Sequence, residues 1–235
     1  MQRYFAKKDN NLVVLSDGDV HHLLHVMRAK TNDEIEAVID GKLFSAIIKS
    51  ISPLKIEINY EIPLDSELPN EVTLFFALAK GDKIDTVIQK ATELGVARIV
   101  LINTERCVVK YEGKDTNKKL ERFSKIAKEA SEQSHRLKIP EIVGPINLND
   151  VDKYMCDINL LAYEKVAGKT DNIPMELKGK SVSVMIGPEG GFSEKEVNKA
   201  VKAGFTPVSL GKRILRAETA SIYTLSVLAS YLERK

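Results

Sequence analysis

Two glycine-bearing loops in the C-terminal half of the chain carry residue types that suit a small-ligand site. The first loop, GPEGG at 187–191, follows the apolar run 181–186. The second loop, GKRILR at 211–216, follows the short apolar run 205–210. Open α/β sheets bind ligands in the crevice at the carboxyl ends of their strands, where loops of this kind lie. Two such loops therefore predict one shared ligand site.

The first loop precedes a helix whose start is encoded locally. Gly187, Gly190 and Gly191 can adopt positive φ and allow a ligand to approach the backbone closely. Ser193 and Glu196 have the spacing of a capping box. The glycine spacing matches neither the dinucleotide fingerprint nor the P-loop. Taken alone, this loop fits a ligand site and a plain strand-to-helix turn equally well.

The second loop mixes cations with Ile214 and Leu215. A solvated connection rarely needs two large apolar residues, whereas small-molecule pockets are mostly apolar with a few placed polar groups. Apolar residues recur at helical spacing from about residue 217 onward, which predicts a C-terminal helix. The second loop therefore favours a ligand site formed by both loops over two plain strand-to-helix turns.

The segments GPEGGF at 187–192 and LGKRILRAETA at 210–220 together resemble the signature of SPOUT methyltransferases of the ribosomal RNA small subunit methyltransferase E family. Shorter segments agree with that resemblance along nearly the whole chain: RYF at 3–5, HHLLHVMR at 21–28, KGDK at 80–83, QKATELG at 89–95, TER at 104–106 and EASEQ at 129–133 with Arg136. The two C-terminal motifs are long and specific, whereas each N-terminal motif is weak.

This resemblance implies a SPOUT domain with a trefoil knot, a homodimer, and S-adenosylmethionine as cofactor. The implied reaction is methylation of uracil N3 in 16S ribosomal RNA of the small ribosomal subunit. Cofactor contacts, largely through backbone groups, are expected from Leu161, Ala162, Gly187, Pro188, Gly190, Leu210, Gly211, Ile214 and Leu215.

The catalytic candidates follow from the chemistry of that reaction. Uracil N3 carries a proton in its neutral form, so a nearby base or a cation that stabilises the uracil anion would help. Glu189 and Glu218 are candidate bases, and Arg216 is a candidate anion stabiliser. Glu218 stands at the start of the predicted last helix, where the helix dipole also favours a carboxylate. A catalytic role and a structural role for Glu218 are therefore equally supported.

Basic residues elsewhere are candidate RNA contacts: Arg3, His22, Arg28, Lys80 and Lys83. Solvent exposure without RNA contact is the competing interpretation, because charged helix faces are commonly solvated. His21, His22 and His25 are not accompanied by a carboxylate or cysteine cluster, so no metal site is expected.

A change of pattern near 63–70, a polar stretch bracketed by prolines, predicts two domains. Residues 1–67 contain short strand-like runs at 12–15, 34–39, 43–51 and 55–62, with a helical patch at 19–27. Asp40 and Gly41 between two runs form a hairpin signal. These features predict a small β-rich, barrel-like domain, and the family resemblance implies a PUA-like module that binds RNA.

Residues 70–235 alternate between buried strand patterns and amphipathic helix patterns. Strands are expected at 72–79, 96–102, 158–163, 181–186 and 205–210, with helices near 84–94, 120–130 and 193–203 and from 217. Such alternation predicts an α/β fold with a mainly parallel sheet and helices on both faces. The resemblance assigns this region as the SPOUT methyltransferase domain.

Composition narrows the class without identifying the activity. The chain has 235 residues, and its 35 Lys and Arg nearly balance its 33 Asp and Glu, so RNA contact must come from local patches. The first residues lack a signal-like apolar region, and no run is long enough to span a membrane. Cys107 and Cys156 do not have the spacing of a metal site or a disulfide framework. A cytoplasmic protein is therefore expected. The alternatives are a SPOUT enzyme acting on another RNA and a non-catalytic RNA-binding assembly factor. A nucleotide-dependent oxidoreductase is the least favoured, because the dinucleotide fingerprint is missing from the sequence.

Overall fold

A computed structural model describes residues 1–109, 111, 114–166, 173, 177 and 179–234. The chain divides into two compact units. The N-terminal unit comprises Met1–Glu67 and Ser131–Lys138, and the C-terminal unit comprises Leu68–Ala130 and Ile139–Lys235. The sequence prediction separated 1–67 from 70–235 and did not anticipate that Ser131–Lys138 joins the first unit.

The N-terminal unit is built on a six-stranded sheet with the order β1-β4-β5-β6-β3-β2. Only the β1–β4 pair is parallel among its pairs in the described chain. The strands are β1 (Arg3–Phe5), β2 (Lys7–Asp9), β3 (Leu12–Val14), β4 (Glu34–Ile39), β5 (Lys42–Ile51) and β6 (Leu54–Ile62). The predicted strands are confirmed to within a residue or so, whereas the three-residue β1 and β2 were not predicted.

Local signals account for the turns of this unit. Asp40 and Gly41 connect β4 to β5 with φ values of 49° and 75°, as the predicted hairpin requires. Helix α1 (Asp17–His21) begins at Ser16, whose side chain accepts a hydrogen bond from the Asp19 backbone N–H, and it continues as a π-helical turn over His22–Val26.

The segment Ser131–Lys138 is tied to this unit by buried contacts. Leu137 packs with Val38 and Leu43. Arg136 forms an ion pair with Glu67 at 2.5 Å, and Glu67 also accepts a hydrogen bond from the Leu137 backbone N–H at 2.8 Å. These contacts explain why a segment distant in sequence belongs to the unit.

The C-terminal unit contains a second six-stranded sheet with the order β12-β10-β11-β7-β8-β9. All of its recorded strand pairs are parallel. The strands are β7 (Val72–Ala77), β8 (Arg98–Asn103), β9 (Glu141–Asn147), β10 (Ile158–Ala162), β11 (Val182–Ile186) and β12 (Thr206–Val208). The helices are α2 (Lys83–Glu93), α3 (Lys114–Gln133), α4 (Glu194–Ala203) and α5 (Ala217–Leu232), with single 3-10 turns at Val151–Tyr154 and Glu164–Val166.

Helices cover both faces of this sheet. Along β7, Leu74 and Phe76 belong to the cluster shared with α2, α3 and α5, whereas Phe75 and Ala77 belong to the cluster shared with α4. Successive side chains of a strand point to opposite faces, so a strand buried on both sides appears as one apolar run. The predicted α/β fold with a mainly parallel sheet is confirmed, and the trefoil knot remains a prediction.

Within the described part of the chain, every helix is too short or too polar to cross a membrane.

Candidate active site

A cavity of about 770 Å³ lies in the C-terminal unit, at the carboxyl ends of β10, β11 and β12. Three segments line most of it, residues 162–164, 186–192 and 209–217. They meet because β10 pairs with both β11 and β12, so the chain leaves three neighbouring parallel strands at one edge. The volume lies in the range of roughly 300–1,000 Å³ that small-molecule sites occupy.

Close packing shapes the first loop. Gly191 has a φ of 66°, whereas Gly187 and Gly190 do not adopt positive φ, which corrects the sequence interpretation for those two. They are small for a different reason: an added Cβ would lie 2.9 Å from the Phe192 ring at Gly187 and 3.3 Å from Arg106 at Gly190.

The helix after the first loop begins as predicted. Ser193 and Glu196 form the capping box at the start of α4. The other carboxylate oxygen of Glu196, Oε1, accepts a hydrogen bond from the Glu105 backbone N–H at 2.8 Å. Helix α4 ends at Gly204, which has a φ of 109°. The local capping pattern thus also anchors the loop that follows β8.

Charged side chains hold the first loop from outside. Lys83 Nζ lies 2.6 Å from Glu189 Oε1, and Arg106 Nη1 donates to the Gly190 carbonyl at 2.6 Å. The hydrogen bond from Lys83 holds the pKa of Glu189 below its usual value. The same hydrogen bond raises the pKa of Lys83, and the Glu218 carboxylate raises it further, whereas Arg216 lowers it. Glu189, Glu218 and Arg216 therefore all act on the charge of Lys83.

The second loop makes few contacts of its own. Gly211 has a φ of 113°, and its backbone N–H donates to Ser209 Oγ at 3.2 Å. Ile214 is 86% exposed although it lines the cavity. Leu215 packs partly against the main core, and the exposed Arg216 immediately precedes α5.

Most of the predicted ligand residues come together at this cavity. Those that line it are Ala162, Gly187, Pro188, Gly190, Leu210, Gly211, Ile214 and Leu215, together with the catalytic candidates Glu189 and Arg216. Leu161 does not line the cavity as described; its side chain is fully buried in the core cluster beside α4. Sequence reasoning missed other lining residues, among them Tyr163, Glu164, Phe192, Ser209 and Arg213. Each lies within two positions of a predicted ligand residue in the sequence, and that proximity was the available signal.

Glu218 differs from the other catalytic candidates. It is half-buried in the first turn of α5 and is not among the residues that line the described cavity. Its Oε2 atom is buried and has no hydrogen-bond partner within the described residues. A buried carboxylate oxygen without a donor is a costly arrangement.

The predicted RNA-binding residues have contrasting environments. Arg3 is only 3% exposed, pairs with Glu36 at 2.8 Å and donates to the His135 carbonyl. This burial argues against direct RNA contact and corrects the expectation for Arg3. Arg28 and Lys80 are exposed, and Lys83 lies at the cavity. RNA contact by these three remains a prediction.

His22 is half-buried, and its Nδ1 lies 3.0 Å from the Tyr4 hydroxyl. Burial raises the pKa of Tyr4 to about 12, so this hydroxyl stays protonated at neutral pH. His22 is therefore partly engaged within the N-terminal unit, and its RNA contact also remains a prediction.

Comparison with known proteins supplies the family. Residues 66–229 match the RNA methyltransferase domain family, and residues 15–59 match the RNA methyltransferase PUA domain family. Ribosomal RNA small subunit methyltransferase E of Bacillus subtilis (strain 168) is 34% identical to this chain, covering 99% of it and 98% of the relative. The chain belongs to the ribosomal RNA small subunit methyltransferase E family.

Another member of this family, from Aquifex aeolicus (strain VF5), is 33% identical over 97% of this chain and 98% of its own length. A solved structure of the family member from Neisseria gonorrhoeae, bound to S-adenosyl methionine, superimposes with a TM-score of 0.87 at 32% identity. The superposition covers 98% of this chain and 97% of that chain. The family resemblance and the N-terminal PUA domain expected from the sequence are thus confirmed.

Proposed function

We propose that this protein uses S-adenosylmethionine to methylate N3 of a uridine in 16S ribosomal RNA of the small ribosomal subunit. The observation that carries the proposal is the convergence of three loops on one cavity at the carboxyl ends of β10, β11 and β12. The S-adenosyl methionine bound to the Neisseria gonorrhoeae relative supports the choice of cofactor.

The cavity combines backbone groups with apolar side chains, which suits the adenosine of a nucleoside cofactor. An added Cβ at Gly211 would meet nothing within 4 Å, so space is open beside the backbone of the second loop. Backbone groups of Ala162, Gly187 and Leu210 would hold the cofactor, with Ile214 and Leu215 against its adenosine. S-adenosylmethionine supplies an electrophilic methyl group, and alignment of that group with the acceptor nitrogen is the main task left to the protein.

The charges at the cavity suggest distinct roles for the three catalytic candidates. Arg216 would stabilise negative charge that develops on the uracil oxygens when N3 loses its proton. Glu189 is engaged by Lys83, and its lowered pKa makes it a weak base. Glu218 keeps a carboxylate oxygen without a partner in the described structure, but it does not line the described cavity, so the N3 proton would have to reach it through a bridging group such as water.

A homodimer built by the C-terminal unit is part of this proposal. Tyr223 on α5 is 45% exposed, whereas Leu225 on the same helix is 2% exposed and belongs to the core. Tyr223→Asp is therefore the informative variant: it should shift the mass measured by light scattering from dimer to monomer with little change in melting temperature. A wild-type protein that is monomeric at micromolar concentration would remove the dimer from the proposal.

The reaction can be tested directly with the purified full-length protein. Small subunits and deproteinised 16S ribosomal RNA from cells that lack the modification are incubated with S-adenosylmethionine, digested to nucleosides and analysed by mass spectrometry. We expect 3-methyluridine. Methyl transfer to another RNA but not to 16S ribosomal RNA would favour a SPOUT enzyme acting on that other RNA. RNA binding without methyl transfer would favour the non-catalytic assembly factor. A cytoplasmic location, where this substrate would be met, is part of the same proposal.

A further inference from the structure

A second cavity of about 660 Å³ opens in the C-terminal unit, at the carboxyl ends of β8 and β9 and against the first turns of α4. Its walls are polar: Asn103, Asn147 and Asn149 contribute amides, and Lys195 and Lys199 contribute cations. The cofactor loops do not line this cavity as the structure describes it. It is therefore a separate site at the same edge of the sheet.

Several groups in this cavity have unused binding capacity. The Oδ1 atom of Asn103 is buried and has no hydrogen-bond partner within the described residues. Lys195 and Lys199 are exposed, and neither has a recorded ion pair in the described part of the chain. A buried acceptor calls for a ligand that donates a hydrogen bond, and two unpaired lysines favour an anion.

Two carboxylates, Glu105 and Glu196, share the cavity with these cations, and they differ in what engages them. Both oxygens of Glu196 accept backbone hydrogen bonds, from Ser193 and from Glu105, each at 2.8 Å. Glu105 is exposed and contributes the remaining carboxylate. The lining thus carries two lysines and two glutamates, and the exposed lysines have no recorded ion pair with either glutamate in the described residues.

We propose that this second cavity binds an unpaired nucleotide of the RNA substrate, adjacent in the RNA strand to the base that is methylated. The inference rests on the proposed RNA methyltransferase function. Lys195 and Lys199 contact the phosphate, and Asn103 Oδ1 accepts a hydrogen bond from an N–H group of the base. Proteins read single-stranded RNA in this way, through base edges of splayed nucleotides and cations on the backbone.

The loop after β8 connects the two cavities. Glu105 donates its backbone N–H to Glu196 at the second cavity, while the next residue, Arg106, donates to the Gly190 carbonyl at the cofactor cavity. An RNA strand that crosses this loop would place successive nucleotides in the two sites. The second cavity would then set the register of the RNA and help to select the nucleotide that is methylated.

The test compares full-length variants that lose lysine charges at different places. Lys195→Ala and Lys199→Ala are measured singly, and their combination removes both cations of the cavity. Lys202→Ala is the control matched to each single variant, because Lys202 is exposed at the other end of α4 and outside the described cavity lining. Both lysines of the double variant are exposed, so folding should be unaffected. Binding of a labelled single-stranded fragment of 16S ribosomal RNA is followed by fluorescence anisotropy across a salt series.

We expect the double variant to bind this RNA about tenfold more weakly, with a smaller salt slope by roughly 0.7 for each lost phosphate contact. Calorimetric affinity for S-adenosylhomocysteine should stay at the wild-type value, while KM for RNA rises. Photocrosslinking of 4-thiouridine RNA should label peptides that contain 103–105 or 195–199.

Affinity and salt slope equal to those of Lys202→Ala would overturn the inference. This outcome is distinct from failure of the proposed function, which would appear as no methyl transfer by the wild type. If the wild type transfers no methyl group but its RNA affinity still depends on Lys195 and Lys199, the cavity assignment stands and the reaction is wrong.

Discussion

The two glycine-bearing loops at the proposed cofactor cavity are held in different ways. The first loop is clamped by Lys83 on Glu189, by Arg106 on the Gly190 carbonyl and by the ring of Phe192 beside Gly187. The side-chain hydrogen bonds recorded for the second loop in the described residues are both local, between Ser209 Oγ and the backbone N–H and carbonyl of Gly211. It also displays Ile214 at 86% exposure.

This difference separates two tasks. The first loop is a wall whose shape the protein sets in advance, and pre-organisation of this kind lowers the cost of binding. The second loop presents side chains whose partners must come from the ligand or the RNA. Substitutions in the first loop should therefore act through neighbouring protein groups. Changes to the exposed side chains of the second loop should act on binding and chemistry with little effect on stability.

Arg216→Ala should give the largest effect. A cation whose interaction strengthens as uracil gains negative charge lowers the barrier without tightening cofactor binding. We expect the single-turnover methylation rate to fall roughly 100-fold or more, with unchanged calorimetric affinity for S-adenosylhomocysteine. Arg216→Lys should recover only part of the rate, because a point charge does not reproduce a guanidinium fork. A full rate for Arg216→Ala at saturating RNA would make Arg216 a docking residue and shift attention to Glu218 or Glu189.

Gly211→Val should give the next largest effect. Gly211 and Gly41 have φ values of 113° and 75°, and an added Cβ would meet nothing within 4 Å at either position. Both substitutions strain the backbone by about 1–3 kcal/mol and should lower the melting temperature. Only Gly211→Val should weaken S-adenosylhomocysteine, by about tenfold, as measured by calorimetry. Equal affinities for the two variants would mean that the second loop lies outside the cofactor site.

Gly190→Val sharpens this contrast within the first loop. Its added Cβ would lie 3.3 Å from Arg106, so the substitution should act by displacing that side chain from the Gly190 carbonyl. Arg106→Ala alone should then reproduce a large part of its effect on calorimetric cofactor affinity. Wild-type affinity in Arg106→Ala would show that the clamp does not shape the loop.

Ile214→Ser should weaken cofactor binding several-fold by removing apolar surface that the adenosine covers, at about 25 cal/mol per Å². Because Ile214 is 86% exposed, the melting temperature should not change. Val108→Ser is a matched control, since Val108 is 77% exposed and is not among the residues that line the described cavity. A loss of stability in Ile214→Ser would show that the second loop is packed as firmly as the first.

Lys83→Met should give the smallest effect, a two- to threefold loss of S-adenosylhomocysteine affinity near neutral pH, because exposed ion pairs contribute little. The lowered pKa of Glu189 means that its contribution is present above the usual glutamate pKa and lost as pH falls through the lowered value. The raised pKa of Lys83 means that its contribution is lost only as pH rises through that value.

The difference between wild type and Lys83→Met should therefore be constant between about pH 5 and pH 9 and shrink in acid. Lys80→Met is the control, because Lys80 is exposed and has no recorded ion pair in the described structure. If calorimetry over this pH range shows no difference between the two variants, the Lys83–Glu189 ion pair does not help to shape the first loop.

The sequence by itself determined the local elements. Asp40 and Gly41 predicted the β4–β5 hairpin, and Ser193 with Glu196 predicted the start of α4, because turn and capping interactions join residues a few positions apart. The long apolar runs predicted the buried strands of the second sheet, because a strand that is buried on both faces appears as one continuous apolar run. Strand β9 escaped prediction because Gly144 and Pro145 interrupt its pattern, and β1 and β2 are too short to show a period.

Only the tertiary structure decided which of these elements meet. Lys83 and Glu189 are 106 positions apart and touch because α2 follows β7, the immediate neighbour of β11 in the sheet. The sequence predicted Arg3 as an RNA contact, whereas in the structure Glu36 and the Ser131–Lys138 segment bury it. The amides and lysines of the second cavity lie in separate segments of the sequence that form no common motif. They come together through the order of the parallel strands. Contacts of this kind depend on the pairing of distant strands, which the local pattern of residues does not encode.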